Sequence, residues 1–78
     1  MSSRLFDPTH VIAELPAVVL DVLVNPGDRI APGQQLVLLE SMKMEIPVLA
    51  ESPGCVSHVF IKEGQSVGVG DNLIRLDL

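Results

Sequence analysis

The chain contains its own sequence twice. Residues 9–40 overlay residues 46–77 without a gap at an offset of 37, and ten of the 32 pairs are identical. These are Val11/Val48, Ala13/Ala50, Glu14/Glu51, Pro16/Pro53, Val19/Val56, Val22/Val59, Gly27/Gly64, Gly33/Gly70, Leu36/Leu73 and Leu39/Leu76. Composition alone gives roughly 8% identity, or about two to three pairs, so the period constrains the whole architecture. Val24/Ile61, Ile30/Val67, Val37/Ile74 and Glu40/Asp77 keep their character as well. Matched glycines and prolines separate this from the accidental likeness of valine-rich strands.

Each half reads as strands and turns. Val, Ile and Leu dominate the segments near 10–14, 17–24 and 36–40 and their partners near 47–51, 54–61 and 73–77. Runs this short and this β-branched do not make helices, and turn residues bound them. Asn25-Pro26-Gly27-Asp28 places Pro and Gly where a type II turn needs them, with Gly27 at the position of positive φ. Gly64 keeps that place in the second half although the proline is gone. The matched positions Val19, Val22 and Val24 leave a gap of three where strict alternation requires two. A bulge or bend near Leu20-Asp21, and another near Ser57-His58, reconciles the pattern with a strand that crosses between sheets. Neither half can bury its own apolar face. The expected fold is all-β, a small sandwich or flattened barrel of two pseudo-twofold-related halves. Residues 1–8 read as an N-terminal segment and 9–78 as a single domain.

With 78 residues there is room for one core, and a hydrophobic content of 47% is too high for a disordered acidic segment. Five basic against ten acidic residues argue against a nucleic-acid partner, since nothing could neutralise a run of phosphates. Phe6 and Phe60, the two aromatics, make no stacking platform. The single cysteine, Cys55, rules out an internal disulfide and a cysteine-rich zinc site, and its alignment with Val18 reads as a small core residue. His10 and His58 have no ligand cluster around them in sequence and read as surface strand residues, so no metal is expected. No apolar run approaches a membrane span, and residues 1–8 lack a signal-peptide core. The expectation is a soluble cytoplasmic protein, without a membrane partner, that binds or carries rather than catalyses.

One internal segment has no partner in the repeat: Ser41-Met42-Lys43-Met44-Glu45. Lys43 is the midpoint of the duplicated sequence, which suggests a position on or near the pseudo-twofold axis, at a hairpin tip far from both chain ends. Most lysines in turns are simply solvated. Here, however, two large apolar side chains flank it, which a turn selected only for solubility would avoid. The other lysine, Lys62, follows a strand in an ordinary turn. An inert turn lysine and an attachment point both remain open on these residues.

Glu40-Ser-Met-Lys-Met-Glu45, set between two such halves with Gly27-Asp28 and Gly54 in place, resembles the biotinyl/lipoyl attachment domains over nearly the whole chain, from about Val11 to Asp77. The resemblance implies a barrel-sandwich hybrid with Lys43 on an exposed hairpin as the attachment residue. Met42 and Met44 correspond to the flanking motif of the biotinyl branch, in which the lysine carries biotin through an amide. The lipoyl branch has an acidic residue before the lysine and a small one after it, so lipoate is the alternative cofactor. An unmodified interaction module is the alternative of a different class. The implied function is a biotin carboxyl carrier, a carboxylase component with no active site of its own. Its implied partners are a biotin protein ligase, a biotin carboxylase and a carboxyltransferase. In length the chain looks most like the free-standing attachment proteins. It departs from the family at Ser41, where alanine is usual, and at Ala17, where the first half usually has glycine as at Gly54. The gapless repeat leaves no room for the thumb insertion of some carrier subunits.

Overall fold

A computed structural model describes residues 9–78; the N-terminal segment 1–8 lies outside the described residues. Eight strands follow in chain order: β1 (His10–Ile12), β2 (Ala17–Val22), β3 (Arg29–Ile30), β4 (Gln35–Ser41), β5 (Met44–Leu49), β6 (Gly54–Val59), β7 (Ser66–Val67) and β8 (Asn72–Asp77). They form two four-stranded antiparallel sheets, ordered β1-β8-β6-β3 and β5-β4-β2-β7. Under the offset of 37, β1 matches β5, β2 matches β6, β3 matches β7 and β4 matches β8. The two sheets are therefore copies of one another. Each contains two strands from either half, so the halves exchange strands rather than stack as separate layers.

The two bulges expected from the apolar spacing are present. Register shifts occur between Val19 and Asp21 where β2 pairs β4, and between Val56 and His58 where β6 pairs β8. One extra residue after Val19 and Val56, which are 1% and 2% exposed, brings Val22 and Val24, and their mates Val59 and Ile61, back to the same inner side. Leu36, Leu39, Leu73 and Ile74 join them at the centre. The short strands β3 and β7 give no alternation to read, because two residues define no period. Ile30 and Val67 nevertheless each seal one edge of the core. Cys55 corrects the expectation of a core thiol. It is only partly buried, on the opposite side of β6 from Val56, as the period of two requires. Its mate Val18 is likewise on the outer side of β2.

Four four-residue turns of one design hold the strands in place. In 25–28, 31–34, 62–65 and 68–71 the fourth residue's N–H donates to the first residue's carbonyl at 3.0–3.1 Å. The fourth side chain, Asp28, Gln34, Gln65 or Asp71, accepts from the first residue's N–H at 2.8–3.2 Å. Gly27 (φ 96°) and Gly64 (φ 87°) occupy the third position, and their N–H groups cross to the other half, donating to Val56 O at 2.7 Å and Val19 O at 2.8 Å. A β-branched side chain at such a φ is strained. Gly27→Val and Gly64→Val are each expected to cost at least about 1 kcal/mol, a drop of at least about 4 °C in Tm. Unchanged thermal midpoints in both would contradict this role for the turns.

One of these turns also carries a titration signature. A hydrogen bond with Asp21, and then the Asp21 charge, raise the Glu63 carboxyl above its ordinary range. A raised folded-state pKa favours the fold below the unfolded value and loses that contribution as pH rises through the folded value. Asp21→Asn should bring the Glu63 titration, followed by side-chain NMR, back down; a midpoint that stays put would exclude Asp21 as the cause.

Candidate functional site

The segment without a repeat partner is a tight β-hairpin. β4 and β5 pair up to Ser41↔Met44, leaving Met42 and Lys43 as a two-residue loop. Both have positive φ, 54° and 64°, as a type I′ hairpin turn requires at its two central positions. Asn-Gly is the favoured chemistry there; neither Met nor Lys relieves the clash of Cβ with the backbone, which costs about 1–2 kcal/mol per residue. Non-glycine residues held in this region cluster at functional sites. The loop is shorter than the five-residue linker suggested by the repeat alone, because Ser41 and Met44 have joined the strands.

The strained backbone is clamped at its root. The Ser41 hydroxyl donates to Pro16 O at 2.9 Å, tying the base of the hairpin to the turn leading into β2. The serine that replaces the family's usual alanine is thus a bond and not merely a small residue. Ala17, in place of the usual glycine, is accommodated at 9% exposure beside this contact. At the matching position in the second half, a Cβ on Gly54 would lie 2.8 Å from Asp77 O, so glycine is required there.

Lys43 is exposed. Met42 is 91% and Met44 64% exposed, so the amine stands between two apolar side chains that the fold does not use. Behind them Glu40 and Glu45 lie directly opposite each other across the strands. A cleft of about 840 Å³ runs instead between β1 and β5, with Val11, Leu39, Ile46, Val48 and Leu76 among its lining and none of residues 41–45.

Lys43 is not on the symmetry axis, contrary to the midpoint expectation. Leu39 pairs with Ile46 at the root of the hairpin, and their mates Leu76 and Thr9 meet through Leu76 N–H and Thr9 O at 2.8 Å. The rotation therefore carries the hairpin onto the two chain ends. A midpoint in sequence is a pole in space, exchanged with the termini and opposite them. His58 stacks on Phe60 with ring centroids 4.8 Å apart, and His10 Nδ1 lies 2.9 Å from Thr9 Oγ1. Among the described residues no group of three or more His, Cys, Asp or Glu is placed to hold a metal.

Comparison with known proteins decides the family. A biotin/lipoyl family model, described as biotin-requiring enzyme, matches residues 7–76. The chain belongs to the biotin/lipoyl attachment family. A biotinylated protein TB7.3 homolog of Mycobacterium leprae is 56% identical over 61 residues, covering 78% of this chain and 86% of that protein. The biotin carboxyl carrier protein of Streptococcus mutans is 45% identical over 64 residues, covering 82% of this chain but 49% of that protein. This attachment domain thus spans about half the length of that relative. Among solved structures, a single-chain, multi-domain long-chain acyl-CoA carboxylase superposes with a TM-score of 0.82 at 34% identity, covering 86% of this chain and 7% of that one. In that enzyme the attachment fold is one small part of a much longer chain.

Proposed function

We propose that this chain is a biotin carboxyl carrier with biotin joined to Lys43 Nζ as an amide. The observation that carries the reading is the hairpin: a lysine on a strained two-residue turn, clamped at its root and rimmed by Met42 and Met44. Residues 9–78 then make up one attachment domain. A biotin protein ligase acylates the neutral form of the Lys43 amine, which alone has a free lone pair. Loss of one ammonium takes the formal charge from −5 to −6. Biotin, when attached, supplies a ring nitrogen that takes up and releases a carboxyl group. The chain's own residues do the presenting. The β4–β5 ladder and the Ser41 bond fix the root of the arm, Met42 and Met44 offer an apolar contact to the ligase, and the lysine stem gives reach. A biotin carboxylase and a carboxyltransferase then meet the same tethered ring, the tether raising its effective concentration at both sites. The domain is a carrier within a biotin-dependent carboxylase, working in the cytoplasm, and its partners do the chemistry.

Lipoylation of the same lysine is disfavoured by Met42 and Met44, which replace the acidic and small neighbours of the lipoyl branch. Intact mass and peptide mapping of the protein from its own host separate biotinyl, lipoyl and unmodified forms. Biotin on Lys43 supports the proposal, whereas lipoyl on Lys43, label on Lys62 or no addition each overturns it. Changing Met42 to Asp together with Met44 to Ala should slow biotinylation by a purified ligase; an unchanged rate would remove the methionines from the recognition surface.

A further inference from the structure

Among the described residues Met42 and Met44 are the two methionines, and both stand in solvent on either side of the attachment lysine, 91% and 64% exposed. Cores use methionine to fill gaps, but here neither side chain fills anything. Leucine would give a comparable apolar rim without sulfur. What methionine adds is a thioether whose oxidation is reversible and which changes an apolar side chain into a polar one. The turn also prevents escape. Met42 sits at φ 54° on a two-residue loop, and Met44 is locked in register with Ser41, so neither residue can fold its sulfur under the sheet. Cys55, the other described sulfur, lies in β6, a strand of the other sheet, and is partly buried.

We propose that Met42 and Met44 are a reversible oxidation site for hydroperoxides that controls whether Lys43 can be acylated. The inference rests on the carrier reading above. In the forward step a thioether lone pair attacks one oxygen of the peroxide. The S–O bond forms as the O–O bond breaks, sulfur loses two electrons, and the hydroperoxide leaves as an alcohol, or as water when it is hydrogen peroxide. The reverse step is a methionine sulfoxide reductase reaction. Two thiols become a disulfide, the sulfoxide oxygen leaves as water, and the thioether returns. While oxidised, the rim carries two strong acceptors that an apolar ligase surface would have to desolvate without compensation. Acylation of Lys43 is the step that slows.

The test compares each protein with itself before and after treatment. The unbiotinylated chain is exposed to hydrogen peroxide, sulfoxides are located by peptide mass spectrometry, and the rate of biotin incorporation by a purified ligase is measured. Oxidised protein should be modified at least about tenfold more slowly, with recovery after treatment with methionine sulfoxide reductases of both epimer specificities. In a Met42→Leu, Met44→Leu double variant the ratio of rates before and after peroxide should be one, whatever its own starting rate. Circular dichroism of the treated protein should remain that of the untreated one. The proposal is overturned if both methionines are oxidised without a change in rate, or if they resist peroxide while other residues react. It is also overturned if the leucine variant slows as much as the wild type, or if the slowing follows loss of the fold. Failure of the untreated chain to take biotin at Lys43 is a separate result, visible before any oxidant is added, and it overturns the carrier reading and this inference together.

Discussion

The Lys43→Arg protein is expected to fold like the wild type and to acquire no biotin when co-expressed with a biotin ligase, while the wild type becomes avidin-reactive. Arginine keeps the charge and exposure of the tip, and substitutions at such surface positions usually fall within about 0.5 kcal/mol. Its guanidinium stays protonated and delocalised, so no neutral amine forms to attack an acyl donor. Lys43→Gly extends the comparison. Glycine takes a positive φ without a Cβ clash, so this variant should gain up to about 1–2 kcal/mol from the relieved turn, offset in part by the entropy of the unfolded glycine, about 0.5–1 kcal/mol. It should be at least as stable as the wild type and equally unable to carry biotin. Avidin reactivity in the arginine variant, or a glycine variant several degrees less stable than wild type, would contradict these expectations.

Leu36→Ala and Leu73→Ala should each cost about 2–5 kcal/mol in urea unfolding. Both side chains are fully buried, at 0% exposure, and they occupy matching positions in the two halves. A chain of 78 residues has a stability of about 4–12 kcal/mol in all, so either change removes a large share of it and the double variant should be unfolded at room temperature. The pseudo-twofold arrangement also sets the ratio, because β4 and β8 hold equivalent places in the two sheets and the core residues around the two leucines correspond in kind, so the two losses should agree within about 1 kcal/mol. A loss below about 1 kcal/mol at either site, or a pronounced inequality, would count against equivalent cores.

Much of this was legible in the sequence because the relevant signals were local. The three-residue gap between Val19 and Val22 marks the β2 bulge, and Gly27 and Gly64 mark their turns. The recurrence of Gly followed by Asp or Gln at 27–28, 33–34, 64–65 and 70–71 was equally available, and it is the signature of the four capped turns. Other features depend on partners distant in sequence. Strand exchange between the halves follows from which edges meet, and Ile30 and Val67 reveal their strands only once β6 and β2 lie beside them. Cys55 shows its limits too: its alignment with a valine suggested the core, but pairing places both residues on an outer face. At the site, Lys43 and its methionines could be singled out from sequence. Their left-handed backbone could not, because Met-Lys is a dipeptide that turn preferences would never select.

The strand order limits how such a molecule can be divided. The sheet β1-β8-β6-β3 takes its first and last strands from residues 9–40 and its middle two from 46–77, and the other sheet reverses the shares. A half-length peptide would therefore expose bare strand edges on both layers and could cover them only against a second copy of itself. Two such peptides, joined end to end, become this protein without any strand changing place. The joint is residues 41–45, the one internal stretch that has no counterpart in the repeat. Lys43 is thus a single handle on an otherwise two-handed object, and the break in symmetry and the candidate site are the same five residues.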